Sequence, residues 1–238
     1  MADIKIADLQ SVSGANKLSH SLIYNVEKIN SINVDNFDKF FNNLPADPYL
    51  DGNYRFRRLS RFQVHGDSLI KLPHKYFFQS QEYNSLLGEV KREYAELDDA
   101  IIELDDFRNL ILTFVEKSKL NTTEEIKINV HQFRIICDSS NYGEPAPEGI
   151  HRDAVDIVGI FSVKRENIEG GETHLYKSTK GNPVLSKILN PGELLVFNDQ
   201  KFFHFTSAIK PSSKDVGIRD VFVLTFPAWE KVPTKEVE

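Results

Sequence analysis

A chain of 238 residues, 40% hydrophobic and 27% charged, is ample for one hydrophobic core and reads as a soluble globular protein of a single domain. Its net charge of −6 argues against a general affinity for nucleic acid or an anionic membrane surface. The only cysteine, Cys137, has no partner for an internal disulfide, and Met1-Ala2-Asp3-Ile4-Lys5 lacks the apolar stretch of a signal peptide, so a reducing cytoplasmic setting is expected.

Residues 1–32 show no sustained period. Asn33 then offers a helix cap, and Phe37, Phe40, Phe41 and Leu44 fall on the stripe of an amphipathic helix that Pro45 and Pro48 end. Residues 54–64 alternate as a strand does and carry Arg55, Arg57, Arg58 and Arg61. Four arginines in an acidic chain point to ion pairing or a carboxylate site more than to phosphate, and Arg57 and Arg61 are candidate substrate contacts. Residues 82–97 and 100–118 read as helices. In the second, Ile101, Leu104, Phe107, Ile111, Phe114 and Val115 recur at three- and four-residue steps, the pattern of a support helix packed on a core. Asn121-Thr122-Thr123 is a surface loop.

From Ile126 the period becomes two. Ile126, Ile128 and Val130 share a face with Gln132 and Arg134, whose polar groups need a partner or ligand, so this face is expected to line a cavity. His131 is expected to point the other way in a structural role. Residues 141–149, rich in Gly and Pro, form a loop placed to act as a lid. If the next segment is a strand, His151 and Asp153 lie on one face, followed by Val155, Ile157, Gly159 and Phe161. Asp156 falls opposite, unless a bulge turns it inward as a contact for a substrate amine.

An imidazole and a carboxylate so placed form two corners of the two-histidine, one-carboxylate triad that holds iron(II) with open coordination sites. Candidates for the third are His204 and, less favoured, His174. Gly170-Gly171 and Pro191-Gly192 are turns before the strand runs 172–176 and 194–197. In the last strand Arg219, Val221, Val223 and Thr225 share a face, with the arginine suited to a bidentate bond to a carboxylate.

Taken together, residues 76–84 (YFFQSQEYN), 131–134 (HQFR), 151–153 (HRD), 170–173 (GGET), 203–206 (FHFT) and 219–226 (RDVFVLTF) give the chain its likeness to a known family. From about residue 50 to 227 it resembles the 2-oxoglutarate and iron(II) dependent dioxygenases, and within them the bacterial free-amino-acid hydroxylases of the L-isoleucine dioxygenase type. The resemblance implies a mainly β (α+β) chain: a double-stranded β-helix, the cupin-like jelly-roll barrel, with N-terminal support helices. Residues 1–50 would be an extension with a helix, 51–125 a strand and support helices, 126–227 the jelly-roll core, and 228–238 a tail, all within one domain. It implies iron(II) bound by His151, Asp153 and His204, and O2 and 2-oxoglutarate as co-substrates. Arg219 would pair with the distal carboxylate of 2-oxoglutarate, helped by Thr173 or Thr225. His204 is preferred to His174 because its F-H-x-T context matches the family.

The implied reaction is hydroxylation of an unactivated carbon of a free, aliphatic L-amino acid, with release of succinate and CO2. Arg134 with Gln132 would take the substrate carboxylate, Asp156 or Glu172 its ammonium, and Tyr142, Phe161 and Phe205 its side chain. The same chemistry leading to desaturation, cyclisation or sulfoxidation, a zinc hydrolase, and a non-catalytic cupin-like binding barrel are the alternatives. An aspartate at 153 argues against a halogenase, which needs that position vacated.

Overall fold

A computed structural model describes residues 24–228. In chain order these residues form β1 (Tyr24–Lys28), a 3-10 turn (Val34–Phe37) running into α1 (Asp38–Phe41), β2 (Arg55–His65), β3 (Ser68–Lys71), α2 (Asp99–Ile102), α3 (Asp105–Lys117), β4 (Ile126–Cys137), β5 (Ile157–Glu166), β6 (Ile168–Gly170), β7 (Glu172–Tyr176), β8 (Leu185–Ile188), β9 (Glu193–Asn198), β10 (Phe203–Thr206), β11 (Ile209–Pro211) and β12 (Gly217–Phe226). The chain is mostly β with antiparallel sheets, in keeping with a jelly roll. A seven-stranded sheet has the order β1-β9-β5-β12-β4-β2-β3, and the facing layer is a three-stranded sheet β10-β7-β8 with the pair β11-β6. Among the described residues no helix is long and apolar enough to cross a membrane.

The large sheet is largely buried on both faces, and the register decides which residue goes where. Val223 of β12 lies opposite His131 of β4 and Ile160 of β5, and this row faces the interior of the barrel. The next row, Phe222 opposite Gln132 and Phe161, faces the helices. There the Phe222 ring takes edge contacts from Phe37, Phe41 and Phe107, with centroids 5.2, 5.2 and 5.8 Å away. Such pairs add about 0.5–1.5 kcal/mol each beyond the area they bury.

This corrects the expected facing of two strands. Ile126, Ile128 and Val130 pack under α3, and Gln132 and Arg134 go with them, so none of the five lines the cavity. The helices need an apolar platform, which the aliphatic face of β4 supplies; the face carrying Asn129, His131 and Phe133 is left for the interior. Ile157 and Phe161 likewise meet the helices, and the space left by Gly159 is filled by Phe114, whose ring lies 2.6 Å from where a Cβ would stand. β5 begins only at Ile157, and Ala154 just before it has φ of +59°, so strict alternation from Asp153 does not hold.

Two helix expectations also change. The helix around residues 33–44 is short, although Asn33 does cap it, accepting from Asp35 N at 3.2 Å. Residues 82–97 are not helical. Asn84 Oδ1 accepts the backbone N–H groups of Leu86 and Leu87 at 3.1 and 2.7 Å, offering the backbone a turn in place of a helix, and Phe77 and Arg92 exchange backbone hydrogen bonds to close a loop. The expected helix over 100–118 is divided near Glu103 into α2 and α3.

Candidate metal centre

Two backbone hydrogen bonds hold the candidate ligands together. His151 N donates to His204 O at 3.0 Å and His204 N donates to His151 O at 2.8 Å, an isolated bridge between the segment before β5 and strand β10. His151 Nδ1–H donates to the carbonyl of Gly149 at 2.9 Å, which turns Nε2 toward Asp153, 3.6 Å from its Oδ1. His204 Nε2 lies 3.7 Å from Asp153 Oδ2. One donor atom from each of the three residues falls within 4.8 Å of the others. The convergence comes from this bridge and the irregular backbone after it, not from the shared face of a strand.

The electrostatics favour a cation at this point. Burial would lower the pKa of His151, but the carboxylates of Asp153 and Glu148 and the Gly149 carbonyl raise it to about 9. Burial would raise that of Asp153, yet its bond to His151 and the charge of both imidazoles hold it below the ordinary carboxylate range. Burial, with the nearby charge of His151, pushes His204 down to about 3, leaving it the neutral imidazole a metal ligand must be. Two nitrogens and one carboxylate oxygen, positioned by backbone contacts, fit the donor set of a non-haem iron(II) site.

Asp199, which carried no role in the sequence reading, supports this group. Its carboxylate is 1% exposed, accepts the N–H of Asp153 at 3.2 Å and of Val155 at 3.3 Å, and lies 3.7 Å from His204 Nδ1, a buried nitrogen with no hydrogen-bond partner. It therefore fixes the backbone of one candidate ligand and faces the ring of another. Outer partners of metal ligands are worth about 10–100-fold in metal affinity. Asp199→Ala is accordingly expected to weaken iron(II) binding by a factor in that range, measured by chelator competition, while Asp199→Asn, which can accept only one of the two N–H groups because each is taken by a different oxygen, recovers only part of the loss.

The cavity around these residues measures about 950 Å³ including its open mouth. Arg219, Val221, Val223 and Thr225 all line it, as the sequence implied. Arg219 is 4% exposed, makes no side-chain hydrogen bond or salt bridge among the described residues, and is brought down to about 10 by burial and the neighbouring Arg165. An unpaired buried guanidinium is costly, so this position calls for an anion. Thr173 is fully buried and reaches the cavity only through Thr206, whose hydroxyl is 3.1 Å from its own.

The other candidates divide. Arg57 lines the cavity; Arg61 does not. Arg134 is spent on Asp220 behind the sheet, donating from Nε and Nη2 at 2.8 and 2.7 Å. Asp156 accepts from Gln200 in a separate recess with Arg152 and Asp199. Glu172 lies beside His174, 3.6 Å away, and His174 bonds Ser186; His174 pairs with Phe205, the residue after His204, and neither it nor Glu172 lines the cavity. Phe161 is under the helices, Phe205 stacks on His174, and Tyr142 is 67% exposed, so none of them forms the apolar wall. That wall comes instead from Phe77, Leu86, Leu87 and Phe133. His131, expected to be structural, lines the cavity together with Gln79, Asn84, Arg92, Arg55 and Glu148.

A barrel cavity in which two imidazoles and a carboxylate converge beside an unpaired arginine is the constellation of the keto-acid-dependent non-haem iron oxygenases. The sequence model of the 2OG-Fe dioxygenase family matches residues 38–225. Among solved structures, a bsmA homolog from Methylobium petroleophilum PM1 is 30% identical, with a TM-score of 0.71 over 80% of this chain and 79% of that one. IDO from Bacillus thuringiensis (19% identical, TM-score 0.66, 81% of each chain) and the Fe(II)/(alpha)ketoglutarate-dependent dioxygenase TqaL (18%, TM-score 0.56, 81% of this chain and 73% of that one) share the fold. No curated protein sequence matches significantly. The chain belongs to the 2OG-Fe dioxygenase family, which uses iron(II), 2-oxoglutarate and O2.

Proposed function

We propose that this chain hydroxylates an unactivated carbon of a free, aliphatic L-amino acid. His151, Asp153 and His204 hold the iron, and Arg219 takes the distal carboxylate of 2-oxoglutarate. The observation that carries the catalytic part is that the triad and the unpaired Arg219 open into one cavity. Bound iron(II) with 2-oxoglutarate and O2 supplies the oxidation of a C–H bond to an alcohol, coupled to conversion of the keto acid to succinate and CO2.

The chain's own groups bind, orient and exclude water. Thr206 lines the same cavity as Arg219, whereas Thr225, six residues along β12 from Arg219, presents its hydroxyl toward the other end, where Asn129 Nδ2 donates to it at 3.3 Å. Pro145, Ala146 and Pro147 on one side and Leu86 and Leu87 on the other cover the cavity with apolar surface. The likeness to amino-acid hydroxylases noted above supports a small zwitterionic substrate, and so do the polar groups of the cavity. Glu148 is the acidic group on its wall besides Asp153, and takes the ammonium in place of Asp156 and Glu172.

The test is succinate release by the iron-loaded protein with 2-oxoglutarate, alone and with each free L-amino acid. One or more aliphatic amino acids should stimulate it and yield a product heavier by one oxygen. If only peptide-bound residues stimulate release, the free-amino-acid reading fails. Arg219→Lys keeps the charge but loses the planar fork. Its KM for 2-oxoglutarate should rise by the equivalent of about 1–3 kcal/mol, with the amino-acid KM little changed. The reverse pattern would move Arg219 to the other substrate.

A further inference from the structure

The end of the cavity roofed by residues 77–92 carries more positive charge than its surroundings balance. Arg92 is 2% exposed, donates Nη2 to Gln79 Oε1 at 2.9 Å and lies over the Phe77 ring, but no carboxylate among the described residues pairs with it and its Nε has no partner. Arg57, 3% exposed, is sandwiched between Tyr94 and Phe133 at 3.7 and 4.3 Å, and its Nε too has no partner. Its closest carboxylate, Asp47 at 3.7 Å, is already gripped by Arg55 at 2.8 and 2.9 Å. Arg55 and Arg57 thus share one carboxylate in a buried place and Arg92 pairs with none, whereas the buried Asp220 on the other face is gripped by both Nε and Nη2 of Arg134.

His131 completes the arrangement. A guanidinium only donates, so the 2.6 Å contact from Arg57 Nη2 makes His131 Nδ1 the acceptor and leaves the proton on Nε2. Burial and Arg57 also hold the ring well below its ordinary pKa, so it adds a donor and not a further charge. Donors are in excess here, acceptors are short, and the rings of Phe77 and Phe133 shape the space between them.

We infer that Arg57, Arg92 and His131 form a second anion site, distinct from Arg219, and that it reads the α-carboxylate of the prime substrate. The identity of that carboxylate rests on the amino-acid reading above. Gln79 ties the site to the metal: its Oε1 accepts from Arg92 and Asn84, while its Nε2 donates to the backbone carbonyl of Asp153 at 3.4 Å. A carboxylate on Arg92 is therefore one side chain away from the backbone of a metal ligand, which places the rest of a small substrate beside the iron.

Titration calorimetry without oxygen, on protein loaded with iron(II) and 2-oxoglutarate, tests this with the free L-amino acids as probes and the primary amide of the tightest binder as control. The acid should bind at least about 30-fold more tightly than its amide, since the amide leaves a buried cation unpaired. Arg92→Gln should lower acid affinity by a similar factor and leave amide and 2-oxoglutarate affinities unchanged. The acid-to-amide ratio of the wild type needs no variant and stands even if Arg92→Gln fails to fold. Equal binding of acid and amide, no binding by any amino acid, or a loss confined to 2-oxoglutarate in Arg92→Gln would each overturn the site. Acid-selective binding without turnover would keep the site and sink the hydroxylase reading. Amino-acid-dependent succinate release unaltered by Arg92→Gln would do the opposite.

Discussion

Asp153→Ala is expected to leave a folded protein with no measurable iron-dependent turnover. Asp153 is the one anion of the three candidate ligands, and its two oxygens face both imidazoles at 3.6 and 3.7 Å. Removing it leaves two neutral nitrogens and no anionic ligand to offset the charge of the dication. The fold should survive because Asp153 belongs to none of the hydrophobic clusters and lies in the irregular stretch before β5. The variant's succinate release should fall to the level of protein without iron, and chelator competition should show weakened metal binding. Its melting temperature should stay within a few degrees of the parent's. Retained iron and turnover would remove Asp153 from the centre. A large loss of stability would mean that the carboxylate holds the fold as well.

The candidate metal centre was legible as a cluster because its residue types fall in an order along the chain: an H-x-D, a later histidine, then an arginine heading an apolar strand. That order survives whatever the local backbone does. The geometry behind it was not legible. His151 and Asp153 converge through a backbone bridge to His204 and a turn pinned by Asp199, and nothing in Asn198-Asp199-Gln200 distinguishes such a carboxylate from a solvated turn.

The lining of the cavity was less legible, and for β4 the reason is physical. Alternation tells which residues of a strand share a face but not which face the barrel turns inward, and in this sheet both faces are buried. The aliphatic face of β4 took Gln132 and Arg134 to the helices, and His131 went to the cavity with Phe133. The register of β12 was readable because its two faces differ in kind: Arg219 and Thr225 bracket one, Phe222 and Leu224 fill the other. Residues 79–92 escaped because a side chain, Asn84, outcompetes the helix for backbone donors there.

Arg134 shows the difference between a binding arginine and a structural one, and its replacement should have the larger effect on stability. Its fork grips Asp220, a carboxylate with no exposed surface, and Nη1 reaches Asn42 at 2.8 Å to join the α1 segment to the sheet. Burial raises the pKa of Asp220 even with Arg134 beside it, so an ionised Asp220 depends on that partner. Arg134→Ala strands the carboxylate in an apolar layer, and breaking such a pair costs about 3–5 kcal/mol. For a protein of this size that corresponds to a fall in Tm of roughly 6–20 °C. Whatever fraction stays folded should show an unchanged amino-acid KM, because the side chain is on the far side of the sheet from the cavity. The double variant Arg134→Met with Asp220→Leu, which removes both charges and keeps the volume, should recover most of the loss, as replacement of buried pairs by packed apolar residues commonly does. Thermal melts of the three proteins decide it. A stable Arg134→Ala with a raised amino-acid KM would return this arginine to the substrate site.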